Sequence, residues 1–531
     1  MVTGRPVFYG KMKTRFKILA GILALAALIS CNKGGNDRRV VVITYDGLRW
    51  SEVFRGADSA LINNPNYVRE DMAAIKDAFW RDTPEERREA LMPFTWSYAV
   101  NHGYLLGNRD KNSRMQVANA MSFSYPGYSE MFCGYPDDER ITDNDPVGNP
   151  NTSVLEVVNR DPRYKGSVMM YSSWESIRFA VNNERGGFPG SSRYEPGLSD
   201  TPVTKLLDQM QDAMPRIIGG ERFDAFTFGY AMETLKKDHP KVFYVGFGDT
   251  DEFAHDGRYD RYLKITHNTD GFIKSIVEFC ESDPFYKGKT TYMVLCDHGR
   301  GRGAKWEGHG ADLRGSNETW FIMFGAGVPV LGETSDNGVF YNKQLAATIA
   351  DVLGVDFTPD NGVKCEPFDP SLNEEPEKPE AAASFAAVKA SPKGNGLRYT
   401  YHEGDFMSVG EVIATNPKAR GIVPVLSTDA KLREDHFGFT FKGLMKIEQD
   451  GLYQLSMGTD DGSKLWIDGE LFFDVDRDGG GFRESWIKLE AGFHRLEIQY
   501  FENYGGETIE IGLVGPGIDV ENLPSEMLFY E

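Results

Sequence analysis

The sequence predicts an α/β sandwich with a largely parallel central sheet, followed by a second, all-β sandwich. Three observations carry this. From Arg39 to about Cys365, buried-type apolar runs alternate with helical patterns. Residues 366–396 break that texture with Glu374-Glu375-Pro376-Glu377-Lys378-Pro379-Glu380, an Ala-rich stretch and Ser391-Pro392-Lys393-Gly394, which cannot build a core. From Leu397 to Glu531 short alternating strands are punctuated by Asp450-Gly451, Asp461-Gly462 and Asp468-Gly469 turns.

Taken in order, the elements are these. Residues 1–30 read as an export signal: Arg5, Lys11, Lys13, Arg15 and Lys17 precede an apolar stretch, Ile18 to Ile29, too short to span a bilayer. It ends Leu28-Ile29-Ser30-Cys31, which resembles the lipobox of bacterial lipoproteins and implies a lipid on Cys31. Asn32 follows where an inner-membrane retention signal would place Asp, so an outer-membrane anchor is expected. Residues 31–38 form a polar tether. Within 39–365, Val40–Tyr45, Ser167–Tyr171, Val242–Phe247, Thr291–Cys296 and Trp320–Phe324 are expected strands. Val203–Met214, Tyr262–Cys280 and Gln344–Leu353 are expected helices. Residues 366–396 are the linker, and 397–531 the β domain.

The 531-residue chain carries a formal charge of −21, and its first thirty residues hold five cations and no acid, so the remaining body is more acidic still. Such a body repels nucleic acid in bulk. A phosphate-bearing substrate would need bound cations to approach it. Cys133, Cys280, Cys296 and Cys365 remain after Cys31. An exported protein can form disulfides, and four cysteines allow three pairings. Cys296, on an apolar strand, reads as a buried thiol.

Chemistry concentrates at strand ends. Asp46 closes Val-Val-Val-Ile-Thr-Tyr-Asp; Asp251 and His255 lie four apart in Asp-Glu-Phe-Ala-His; Asp297 and His298 are adjacent; His309 stands in Gly-His-Gly. Six carboxylate and imidazole ligands fill two three-ligand sites, each with an open position. Two metals roughly 4 Å apart clamp the attacking and leaving oxygens of a phosphoryl transfer. Open α/β sheets bind ligands outside the carboxyl ends of their strands, where three of these clusters fall. Zinc suits Asp/His sites best, and manganese or iron also fits. The candidate nucleophile is Ser124, in Met121-Ser-Phe-Ser-Tyr-Pro-Gly-Tyr-Ser-Glu-Met-Phe-Cys-Gly134. Tyr128 to Phe132 reads as the start of a helix, whose free N–H groups and dipole favour a phosphate oxygen and an alkoxide. Ser122 and Ser129 are its rivals; His102, His239 and His267 lie in no such pattern.

Asp46, Ser124, Asp251/His255, Asp297/His298 and His309, in this order, resemble the alkaline phosphatase superfamily over roughly residues 39–360. Ser-Tyr-Pro-Gly-Tyr is most similar to the Thr-Phe-Pro-Asn-His segment of its nucleotide pyrophosphatase/phosphodiesterase branch. The resemblance implies an alkaline-phosphatase-like sandwich with Asp251, His255 and His309 on one metal and Asp46, Asp297 and His298 on the other. It further implies a phosphoseryl intermediate on Ser124. The sequence departs from that branch at Gly127-Tyr128, where Asn-His is usual. Cys133-Gly-Tyr-Pro-Asp lacks the closing Arg of the sulfatase motif, which argues against sulfatase chemistry. Monoesterases of the superfamily place Arg or Lys on the free phosphate oxygens; Arg49, Arg178, Arg300 and Arg302 are the candidates.

Gly451 to Gly469 and Ala491 to Glu502 resemble the PA14 domain. Some of its members bind sugars through a calcium held by an Asp pair, here Asp460 and Asp461; Asp-Asp-Gly is also plain turn chemistry. The expectation is therefore an exported, lipid-anchored phosphoric ester hydrolase with two divalent metals. Its expected partners are a small phosphate ester, a membrane through the anchor, and a glycan through the PA14 module. A phosphodiesterase is the first reading and a phosphomonoesterase the second. A phosphomutase is disfavoured because such enzymes act on cytosolic sugar phosphates. A glycan-binding lipoprotein with an inactive metalloenzyme scaffold is the alternative of another class.

Overall fold

The computed structural model describes residues 37–216, 220–371, 383–477, 479–505, 507–520 and 522–531. The expected export signal, Cys31 as the expected lipid attachment point, nearly all of the expected tether and the centre of the expected linker lie outside the described residues. Among the described residues no helix is long and apolar enough to cross a membrane.

Eight strands make the first sheet: β1 (Arg39–Tyr45), β2 (Gly103–Leu106), β3 (Val168–Ser172), β4 (Gly190–Ser192), β5 (Val242–Phe247), β6 (Thr290–Cys296), β7 (Phe321–Gly325) and β8 (Gly332–Glu333). Their order is β8-β2-β7-β6-β1-β5-β3-β4. The run β6-β1-β5-β3-β4 is parallel throughout, whereas β7 is antiparallel to both β6 and β2. The period of two divides each central strand between two cores. Val41, Ile43 and Tyr45 enter one cluster with Phe243, Val245 and Phe247, while Val40 and Val42 enter the other with Val242 and Tyr244. Helices cover both faces, which is why these strands read as continuous apolar runs.

Because β6, β1, β5 and β3 share one direction, their carboxyl ends share one edge. Asp46 ends β1, Asp297 and His298 follow β6, and the seven-residue helix α2 (Asp249–His255) starts two residues after β5. Helix α1 (Ser124–Cys133) is entirely buried and closes on Gly134, whose φ of 80° suits a left-handed cap. It begins at Ser124, four residues earlier than the sequence reading placed it. Pro126 lies in the first turn, where its missing N–H breaks no helical bond. The four cysteines Cys133, Cys280, Cys296 and Cys365 are all free thiols, the first three buried.

The second domain is two antiparallel-rich sheets face to face. Its main strands are β9 (Phe437–Ile447), β10 (Gly451–Asp460), β11 (Gly481–Leu489) and β12 (Gly492–Glu502). β10 pairs with β11 in one sheet and β9 with β12 in the other. Inward residues such as Phe439, Phe441, Leu455, Met457, Ile487 and Ile498 form a core of their own.

Candidate metal centre and nucleophile

The six sequence-predicted ligands and Ser124 converge at the carboxyl edge of the first sheet. Asp46, Asp297 and His298 offer three ligand atoms close enough for one ion. Nε2 of His298 lies 3.3 Å from Asp46 Oδ1 and 3.4 Å from Asp297 Oδ2. Its Nδ1 lies 2.7 Å from the Gly299 carbonyl, a contact that fixes a proton on Nδ1 and turns Nε2 toward the carboxylates. The second set stands beside it. Asp251 and His255, one helical turn apart on α2, meet His309 from the loop after β6. His255 Nε2 is 3.1 Å from Asp251 Oδ2 and 3.0 Å from His309 Nε2, and His309 Nε2 is 3.6 Å from Asp251 Oδ1. Asp251 Oδ1 also lies 3.9 Å from His298 Nε2, so the two sets share a border.

The donor set fits divalent cations. Asp46, Asp297 and His298 are at most 1% exposed, and Asp297 Oδ2 has no hydrogen-bond donor. Burial pushes the Asp46 and Asp297 carboxyls up, and the neighbouring carboxylates push them further. Burial disfavours the His298 cation, yet Asp297 and Asp46 outweigh it and hold that ring up to about 9. Asp251 runs the other way. Burial opposes its charge, but Arg300, His309 and His255 together keep it well below the usual carboxylate range. Buried like charges at such spacing are costly unless a cation joins them.

Ser124 Oγ lies 3.1 Å from His298 Nε2 and donates to Asp46 Oδ1 at 3.3 Å. Of the rivals, Ser129 accepts from Asn149 Nδ2 at 2.9 Å on another side of α1. Ser122 has its backbone N–H on Asn119 Oδ1, with φ 52°. The helix start offers fewer free N–H groups than the sequence suggested. Tyr125 gives its N–H to Asn144 Oδ1, Pro126 has none, and Gly127 gives its own to the Phe123 carbonyl.

Several residues that hold this geometry escaped the sequence reading. Tyr128 donates its hydroxyl to Asp46 Oδ2 at 3.1 Å. Gly47 donates its N–H to Asp297 Oδ1 at 3.0 Å; its φ is +59°, and a Cβ there would stand 2.7 Å from Asp251 Oδ1. A Cβ on Gly127 would meet the Asp297 carbonyl oxygen at 2.6 Å, so only glycine lets α1 approach β6 this closely. Buried Glu130 accepts from the N–H groups of Ala118, Asn119 and Lys343 and so fixes the loop that delivers Ser124.

The arginine candidates are each engaged by carboxylates. Arg178 pairs with Glu184 and Glu195, Arg302 with Glu318, and Arg49 with Glu52. Arg300 is buried, pairs with Asp251 and donates Nε–H to the Trp306 carbonyl at 2.9 Å, which makes it a holder of a metal ligand. His102, His239 and His267 lie elsewhere, against the Tyr98 carbonyl, Asp283 and the Leu91 carbonyl.

In the second domain Asp460, Asp461 and Glu502 offer a third group of ligand atoms. Asp461 accepts from Gly479 N–H at 2.7 Å and Asn503 N–H at 2.8 Å, while Glu502 Oε1 is buried without a partner. Burial, with Asp461 next, pushes the Glu502 carboxyl up to about 7.

Residues 393–526 match the family model of the PA14 domain. No curated protein matches the chain. Three similar solved structures bracket its two halves. An anti-sigma factor domain-containing protein is 21% identical over 26% of this chain, with a TM-score of 0.23; the match covers 49% of that protein, so the chain spans about half its length. A protein in the alkaline phosphatase superfamily from Vibrio parahaemolyticus is 13% identical over 62% of this chain and 69% of its own, with a TM-score of 0.37. A PA14 sugar-binding domain from an RTX adhesin is 21% identical over 26% of this chain and 99% of its own, with a TM-score of 0.22. At such scores function rests on the site itself.

Proposed function

We propose that the α/β domain is a two-metal phosphoric ester hydrolase that works through Ser124. One observation carries this reading. A serine hydroxyl at the first turn of a buried helix lies within 3.3 Å of both His298 and Asp46, with the other four Asp/His groups, Asp251, His255, Asp297 and His309, closed around the same edge. Asp46, Asp297 and His298 would hold one divalent ion, and Asp251, His255 and His309 the other. Bound there, two such ions would lower the pKa of the serine hydroxyl and offset the charge of the phosphoryl oxygens.

The chain's own groups do the rest. Asp46 Oδ1 takes the hydrogen bond of Ser124 and fixes the direction of its lone pairs; Tyr128 and Gly47 hold the carboxylates that face it. Ser124 Oγ passes its proton along its hydrogen bond to Asp46 Oδ1 and attacks phosphorus, the bond to the leaving oxygen breaks, that oxygen takes up a proton, and a phosphoseryl ester forms. Water then attacks the same phosphorus and returns the serine. The burial of Asp46, Asp297 and His298 keeps bulk water off that side of the nucleophile.

A diester is the favoured substrate. The four candidate arginines, Arg49, Arg178, Arg300 and Arg302, are each engaged by carboxylates, so none of these four stands ready as the cationic clamp that a doubly charged phosphoryl group wants. The test is paired kinetics of the zinc-loaded protein on p-nitrophenyl phosphate and bis-p-nitrophenyl phosphate. A kcat/KM preference for the diester is expected. A preference for the monoester would overturn the diester reading and keep the hydrolase. Two bound metals with turnover of neither ester would favour the inactive scaffold.

The PA14 module is proposed to bind a glycan through calcium at Asp460, Asp461 and Glu502. In the calcium-free protein Glu502 keeps its proton below about 7. Calcium must displace that proton, so affinity is expected to rise with pH and to weaken about tenfold per unit on the acid side. Calorimetric titration with calcium at about pH 6 and about pH 8 checks this. Equal affinity at both would remove Glu502 from the ligand set.

A further inference from the structure

The loop that bears His309 runs from Asp297 to Asn317, and the two domains meet on it. Its base is tied to the first domain. Gly299 N–H reaches the Ser316 carbonyl at 2.7 Å, Gly301 N–H the Gly308 carbonyl at 2.9 Å, and Trp306 is fully buried against Tyr67, Tyr259 and Tyr262. Its outer side is tied to the PA14 domain. Lys305 Nζ lies 3.1 Å from Glu510 Oε2. Arg314 lies 3.8 Å from Glu484 Oε2 through Nε and donates from a terminal nitrogen to the Val520 carbonyl at 3.1 Å. Next to the loop, Arg114 sits over the ring of Trp486 at 5.5 Å.

The charge balance explains why these acids matter. Arg109 and Arg302 both pair with buried Glu318, whose carboxyl is held low by them and by Arg314 together. Three guanidinium groups thus share one carboxylate of their own domain. Glu484, on β11, brings a second negative charge to that cluster from outside. An unbalanced set of partly desolvated cations repels itself and would spread the loop. His309 stands five residues from Arg314 and four from Lys305, and its Nε2 must stay 3.0 Å from that of His255.

We propose that the PA14 domain is a positioning part of the metal centre. Glu484 and Glu510 hold the 302–314 segment, and through it keep His309 in register with Asp251 and His255. The inference deepens the hydrolase reading, because it takes His309 as a ligand. It assigns Arg314, Lys305, Glu484 and Glu510 as positioning residues that touch neither substrate nor metal.

The experiment uses the full chain carrying Glu484→Gln and Glu510→Gln together, both isosteric and at least partly exposed. Amide hydrogen exchange should speed about tenfold in residues 303–316 and stay unchanged in β1. One of two bound zinc ions should be lost to EDTA about tenfold faster, with the other retained. The kcat on bis-p-nitrophenyl phosphate should fall while KM holds. Glu526→Gln, exposed elsewhere on the PA14 domain, should change none of these. Exchange in 303–316 equal to that of the unaltered protein would overturn the proposal. Exchange and zinc loss are read without turnover, so a protein that hydrolyses neither ester would sink the hydrolase reading and still decide this one.

Discussion

Ser124→Ala is expected to lower kcat/KM on bis-p-nitrophenyl phosphate by at least about 1,000-fold while zinc content and thermal midpoint stay close to those of the unaltered protein. The size follows from the absence of a substitute. Ser124 Oγ is the hydroxyl that touches both Asp46 and His298. Ser129 sits behind on Asn149, and the Tyr128 hydroxyl is committed to Asp46 Oδ2. The fold should tolerate the change. Alanine is a good helix former, and the lost hydrogen bond runs to groups that face the metal edge, not to the α1 backbone. A variant that keeps even a tenth of the rate would mean that water attacks directly and that Ser124 only shapes the site. Trapping of a phosphoserine on residue 124 by acid quench separates the two outcomes.

What could be read in the chain was local. Asp46, Asp297 and His298 stand out because each ends an apolar run, and a charged residue at the end of a buried strand has few reasons to be there. Asp251 and His255 were legible by their spacing of four, which one helical turn brings to one side. The strands were legible for the same reason the sheet has two cores: an uninterrupted apolar run is what a strand covered on both faces requires. What could not be read is what depends on approach between distant segments. Gly127 looks like a turn residue beside Pro126, and only the closeness of α1 to the Asp297 carbonyl shows why no side chain fits there. Tyr128 stands where the diesterase branch has His, and its bond to Asp46 spans 82 residues. Glu502 lies on a strand far from the Asp460-Asp461 pair and joins it only through the pairing of sheets. Arg302 and Arg300 drew notice as cations beside His298, yet one is held by Glu318 beside the domain boundary and the other by Asp251. Local pattern located the charges; it could not say which neighbour had already claimed them.

Asp297→Asn is expected to remove one metal and at least about 100-fold of the rate, and to do so without weakening the metal-free fold. Oδ1 of Asp297 accepts the Gly47 N–H at 3.0 Å, and an amide oxygen can keep that bond. Oδ2 is the buried atom without a donor, 3.4 Å from His298 Nε2. An amide NH₂ in its place cannot ligate a cation. The effect on stability changes sign with metal. In the chelated protein Asp297 is a buried carboxylate beside Asp46, and burial first, then Asp46, raises its pKa well above the usual value. A carboxyl whose folded pKa is raised stabilises the fold at low pH and loses that contribution as pH rises through the folded value. The cost of carrying it is therefore largest at high pH, and neutral Asn escapes it. In EDTA the variant should melt at or above the unaltered protein at about pH 8, with the gap closing toward about pH 5 as Asp297 takes up its proton. With zinc the order should reverse, because the unaltered protein gains the binding energy of a second ion and the variant does not. Melting curves in EDTA and in zinc at both pH values read all four states. If the variant melts lower in EDTA at the higher pH, Asp297 is stabilised by partners other than a metal, and its assignment as a ligand fails.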